Sequence, residues 1–163
     1  MRKLEMSILQ ILTEDARTPA DQIAIMLGKS EEEIRETIRR LEEQRIILKY
    51  PALINWQRVD VDEVEALIEV RVTPQRDHGF DAIAEQIYRF EEVRNVYLMS
   101  GGYDLLVMLK SQTLKKLALF VAEKLSTIDG VLSTATHFVL KRYKSQGVIM
   151  DERTEDRRLQ VSP

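Results

Sequence analysis

Apolar residues fall at helical spacing three times within the first 50 positions. Leu4, Ile8, Ile11 and Leu12 form one stripe and predict an amphipathic helix at the start of the chain. Thr18-Pro19 reads as an N-cap followed by proline at the first helical position, with Asp21 near the reciprocal position of a capping box. Ile23 and Leu27 carry the stripe of this second helix, and Gly28 stands where a left-handed C-cap is wanted. Ser30 opens a third helix, with Glu33 at its capping-box position and Ile34, Ile38 and Leu41 facing inward. Only Gly28, Lys29 and Ser30 lie between the second and third helices, the short turn of a helix-turn-helix. Ile46-Ile47-Leu48 and Leu53-Ile54, on either side of Lys49-Tyr50-Pro51-Ala52, predict a β-hairpin wing.

Past a polar linker at 55–62 the period changes to two. Val64, Ala66, Ile68, Val70 and Val72 alternate with Glu65, Leu67, Glu69 and Arg71, a strand with one buried face that Pro74 ends. Phe80, Ile83, Ala84, Ile87 and Tyr88 predict a helix, and Val93 to Met99 a second strand. Gly101-Gly102-Tyr103-Asp104 is a turn into Leu105–Leu109, an unbroken apolar run expected to be a central strand covered on both faces. Leu114, Leu117, Ala118, Val121 and Leu125 mark the core face of another helix, and Asp129-Gly130 turns into a last strand, Val131 to Leu140. The order is that of a ferredoxin-like βαββαβ domain. The fold class is therefore α+β: an N-terminal winged helix-turn-helix (1–54), a linker (55–62), a ferredoxin-like domain (63–143) and a charged tail (144–163). Val148-Ile149-Met150 and Leu159-Gln160-Val161 in that tail are each candidates for an edge strand. Helices lie on one face of such a sheet, so the other face calls for a partner subunit.

Composition narrows the chemistry. The chain has 163 residues, 24 Lys+Arg against 27 Asp+Glu, and no cysteine. That excludes a disulfide framework and thiolate chemistry. With His78 and His137 as its two histidines, it cannot build a three-His metal site within one chain. His78 reads as a loop residue and His137 as a packed or interface residue. No apolar run approaches a membrane span, and the start lacks a signal-peptide core, so a cytoplasmic protein without membrane contact is expected. Phosphate-loop, dinucleotide, zinc-protease and serine-hydrolase motifs are all missing, and neither an enzyme nor a cofactor is expected.

The ordered set Leu4…Ile8…Leu12, Asp15-Ala16-Arg17, Ile23-Ala24…Gly28-Lys29-Ser30, Ile34…Ile38-Arg39-Arg40-Leu41-Glu42, Ile46-Ile47 and Tyr50 resembles the leucine-responsive regulatory protein (Lrp/AsnC) family of transcription regulators. Gly101-Gly102-Tyr103-Asp104-Leu105 and Val131…Thr134-Ala135-Thr136 extend the likeness through residue 142. The resemblance implies a protein that binds DNA through its N-terminal domain. It implies assembly sheet to sheet through the second domain, as a dimer with an octamer as the larger alternative. An amino-acid effector held between subunits is implied as well.

Candidate DNA-binding residues follow on the third helix and beyond: Ser30 as cap and phosphate neighbour, Glu31 and Glu32 at the groove end, Arg35, Arg39, Arg40 and Lys49 as cationic contacts. The chain departs from the family here. Three acids stand where small, polar or proline residues are usual, Thr37 where Arg is usual, and Arg45 where Gly is usual. The first 50 residues carry nine basic groups against ten acidic ones. First-turn acids also favour the helix dipole, and the arginines have acidic neighbours at helical spacing, so a purely structural role is open. A Glu at the groove can equally accept from a cytosine amino group.

For the effector, the candidates are Met99, Gly101, Gly102, Tyr103 and Asp104, with Thr134 and Thr136 carried over from the resemblance as hydroxyl donors. Asp104 would pair with the ammonium and the amides near Gly101 and Gly102 would meet the carboxylate. Ordinary turn chemistry is the alternative for the same four residues. Two other functions stay in view: an amino-acid-sensing module whose DNA binding has lapsed, and a tetrapyrrole (siroheme) decarboxylase of similar architecture. Two scattered histidines and the lack of a basic cleft stand against the enzyme.

Overall fold

In a computed structural model, residues 3–73 and 79–150 are described; Pro74, His78 and the 159–161 segment lie outside them. The chain divides into two compact units, 1–54 and 55–163.

The first unit packs three helices, α1 (Lys3–Glu14), α2 (Ala20–Leu27) and α3 (Glu31–Glu43). Ile8, Ile23 and Ile34, one from each, are fully buried at its centre, with Ala24 beside them. Gly28 takes φ 62° and ends α2 while Lys29 N–H reaches the Ala24 carbonyl, so the chain turns within three residues into α3. Ser30 caps α3 by accepting from Glu33 N–H at 3.2 Å.

Two local expectations fail. Thr18 does not cap α2: its hydroxyl and its N–H both donate to the Asp15 carbonyl, at 2.9 and 3.1 Å, and close the preceding turn. Pro19 then occupies the cap position, its carbonyl taking Ile23 N–H. The wing has no ladder either. Arg45 adopts φ 56°, and its N–H and that of Ile46 return to the Glu42 and Leu41 carbonyls, the paired bonds of a Schellman C-cap. Ile47 N–H also goes to Leu41. The donors that a first wing strand needs are spent on ending α3, and Pro51 brings none.

The second unit is built on an antiparallel four-stranded sheet of β1 (Val64–Val72), β2 (Val93–Leu98), β3 (Leu105–Ser111) and β4 (Val131–Phe138), in the order β2-β3-β1-β4. On its covered face Ala66, Ile68 and Val70 lie opposite Leu109, Val107 and Leu105. They pack against Ile83 and Ile87 of α4 (Asp81–Tyr88) and against Leu117 and Phe120 of α5 (Leu114–Phe120). Gly130 lets the chain pass close to α4: a Cβ there would stand 2.8 Å from Ile83 Cδ1, and φ is +93°. A π-turn, Val121–Leu125, continues α5, with Ser126 N–H on the Val121 carbonyl. It keeps Val121 and Leu125 in the core. Phe120, not anticipated, joins them, whereas Leu114, Ala118 and Tyr88, expected inside, are exposed. Leu114 falls directly after the Thr113 cap, ahead of the turn that meets the sheet.

The apolar run in β3 is central in the sheet but covered on one face only. Leu105, Val107 and Leu109 are buried, while Leu106 and Met108 are half-exposed. After β4, β5 (Lys144–Ser145) and β6 (Val148–Ile149) form a hairpin of their own rather than an edge strand of the main sheet.

Candidate nucleic-acid interface and effector loop

On α3, Glu31, Glu32, Arg35, Glu36 and Arg39 line a shallow exposed groove. Four cations of the helix-turn-helix each meet an acid. Lys29 Nζ lies 3.1 Å from Glu33, and Arg35 places Nε and Nη2 on Glu31 Oε1 at 2.7 and 2.5 Å. Arg39 stands 3.8 Å from both Glu36 and Glu43. Arg40 differs: its Nη2 donates to Glu5 Oε1 at 2.8 Å, and the Glu5 side chain is only 13% exposed. Arg40 thus joins α3 to α1 inside the unit. The candidates of this set therefore divide into a groove group (Glu31, Glu32, Arg35, Arg39), a cap (Ser30), an interhelical tie (Arg40) and the exposed Lys49 on the segment after α3.

That segment is anchored by a residue sequence reasoning gave no role. Tyr50 Oη donates to Glu42 Oε1 at 2.7 Å, which holds 46–50 against α3. Partial burial first, and the bond to Glu42 second, push the phenol up to about 12. Thr37, where the family usually has Arg, is buried and donates its hydroxyl to the Glu33 carbonyl at 2.8 Å.

In the second unit the loop 99–104 is closed by Met99 N–H on the Asp104 carbonyl at 2.8 Å. Gly101 and Gly102 are exposed, with open space around both. Tyr103 and Asp104 are half-buried. Asp104 donates its own N–H to the Val70 carbonyl at 3.1 Å and takes Val72 N–H on Oδ2 at 2.9 Å. The β1–β3 pairing ends at Val70↔Leu105, so the carboxylate supplies the partner that the ladder no longer does. Thr134 and Thr136 face the helix side of β4, opposite Val70 and Ile68. Thr134 Oγ1 lies 3.4 Å from Ser126 Oγ. Asp104 and Thr134 thus flank the same stretch of β1, two strand spacings of about 4.8 Å apart.

Another feature of this unit was not anticipated. Asn55 Nδ2 donates to the Met150 carbonyl at 2.7 Å, drawing the expected linker onto the C-terminal hairpin. A cleft of about 230 Å³ opens there between Trp56, Val139 and Arg142. Arg142 is paired with Glu65 in its wall. Nothing in the spacing of 55–62 signals this, because the partner is 95 positions away. Among the described residues no cluster of His, Asp or Glu fits a metal ion.

Residues 3–42 match the AsnC-type helix-turn-helix domain, and residues 65–149 match the Lrp/AsnC ligand binding domain. The chain belongs to the Lrp/AsnC family. The uncharacterized HTH-type transcriptional regulator YugG of Bacillus subtilis is 48% identical over 160 residues, 98% of this chain and 96% of that one. The HTH-type transcriptional regulator LrpA of Pyrococcus abyssi is 34% identical over 84% of this chain and 94% of its own. A transcriptional regulator of Neisseria meningitidis, solved as its L-Met complex, shares the fold at a TM-score of 0.71. That match is 24% identical and covers 89% of this chain and 93% of the other. The architecture is thus that of a DNA-binding Lrp/AsnC transcription regulator with a ligand-binding domain, and the matched domains and relatives are regulators rather than enzymes.

Proposed function

We propose that this Lrp/AsnC protein is an amino-acid-responsive regulator that binds DNA as a homo-oligomer in the cytoplasm. The observation that carries the reading is the joining, in one chain, of the helix-turn-helix match at 3–42 with the ligand-binding match at 65–149. The solved relative that carries L-Met supports an amino acid as the effector class. Glu31, Glu32, Arg35 and Arg39 would face the groove, with Ser30 beside a phosphate and Lys49 as a flanking contact. Met99, the 101–104 loop, Thr134 and Thr136 would contribute to the effector site. Asp104 enters it with one oxygen already engaged by Val72, so its other oxygen would meet the ammonium. The spread of these residues across β1 favours a site completed by a second copy over one enclosed in a single chain. No described helix is long and apolar enough to cross a membrane.

A thermal-shift panel of the twenty amino acids tests the effector. A ligand at 100 times its Kd stabilises by about 2.7 kcal/mol if it does not bind the unfolded chain. At least one amino acid should raise the Tm; a flat panel would sink the effector assignment and leave DNA binding to be judged separately.

A further inference from the structure

We propose that Arg35 and Glu31 act together as a reader of a single G·C base pair. The inference rests on the reading of α3 as the groove-facing helix and names the DNA chemistry that this helix selects. Both side chains are exposed, one helical turn apart, and they are already joined: two guanidinium N–H groups converge on Glu31 Oε1. Three of the five guanidinium donors and the second carboxylate oxygen are not used by that contact. The pair therefore presents donors beside an acceptor on one joined unit.

In the major groove a G·C pair offers guanine N7 and O6 as adjacent acceptors and then the cytosine N4 amino group as a donor. Donors from Arg35 and the acceptor from Glu31 complement that row in order. An A·T pair places the adenine amino donor in the middle of its row, against an Arg35 donor. The pair is also poorly suited to the alternative of phosphate anchoring. Joined to Glu31, Arg35 has no net charge to offer the backbone and releases few counterions. Its binding energy must come from directional hydrogen bonds, and those distinguish bases. Arg39 contrasts with it: at 3.8 Å from each of its acids it is loosely held and free to turn to a phosphate. Glu31 lies in the first turn of α3, the part of a recognition helix that meets base edges.

The test is selection of binding sites from a randomised DNA pool by the full chain, by Glu31→Gln, by Arg35→Lys and by Glu32→Gln. The wild-type sites should hold one fixed G·C pair in each half-site. Glu31→Gln and Arg35→Lys should each reduce discrimination at that position by about tenfold while leaving the other positions unchanged. Glu32→Gln should keep the preference. If Glu31→Gln tightens binding to every sequence alike with the same consensus, Glu31 merely repels DNA and the inference is overturned. If the wild type selects no sequence at all, DNA reading by α3 fails first, and the inference falls with it.

Discussion

Arg45 shows how the conformation of one residue sets the course of a segment. It occupies the left-handed C′ position of a Schellman cap, a place that glycine usually fills because Cβ crowds the following carbonyl there. The bonds from Arg45, Ile46 and Ile47 back to α3 hold the strain in place and consume the amides of the expected wing strand. Arg45→Gly should keep the cap, relieve the crowding and stabilise the first unit by about 1 kcal/mol, partly offset by the greater freedom of glycine in the unfolded chain. Urea unfolding followed by circular dichroism checks this. A loss of stability would mean that the arginine side chain contributes more than its backbone costs. Asp104 teaches the same lesson in the other unit, where its side chain replaces a ladder bond just past the end of the β1–β3 pairing.

Among elements, α3 carries two kinds of arginine that look alike in sequence. Arg39 is exposed between two acids of its own helix, whereas Arg40 crosses to the nearly buried Glu5 on α1. Arg40→Met should therefore destabilise the unit by about 1–2 kcal/mol, part of it recovered when Glu5→Gln is added. Arg39→Ala should change stability by less than about 0.5 kcal/mol. It should flatten the dependence of log affinity on log salt by about one. Salt titrations of DNA binding with both variants decide, and the opposite pattern would exchange the two roles. The distinction could not be read from the chain because Glu5 lies 35 positions from Arg40. What was legible was local or periodic: the Ser30 cap, the short turn at Gly28, and the alternation of 64–72 that buries Ala66, Ile68 and Val70. What was not legible depended on where backbone donors go, as at Thr18 and Ile46, or on how far a helix runs past the sheet, as at Leu114. The groove on α3 followed from helical spacing, while the second bond of Asp104 required the tertiary register of β1.

For the molecule as a whole, the face of the sheet that the helices leave open is the surface that bears on assembly. The register places Leu67 opposite Met108, and Leu106 between Tyr97 and Glu69, all away from the helices. Half-exposed Leu67, Leu106 and Met108 form an apolar centre, and Tyr97 is more exposed beside it. At the β4 edge, His137 Nε2 lies 3.3 Å from Glu69 Oε1. A face with an apolar middle and a polar margin has the anatomy of an interface. A second copy placed on it by a twofold axis would meet the same surface, apolar centre on apolar centre. Leu106→Glu puts a carboxylate at that centre, where a single chain can solvate it but a closed interface cannot. The variant should keep its circular dichroism spectrum and elute as a monomer at micromolar concentration, where the wild type should scatter light as a dimer or a larger ring. It should also lose DNA affinity, since two helix-turn-helix units no longer engage two half-sites together. A wild-type monomer would overturn the assembly itself, and a Leu106→Glu variant as large as an oligomeric wild type would place the partner contact away from the sheet face.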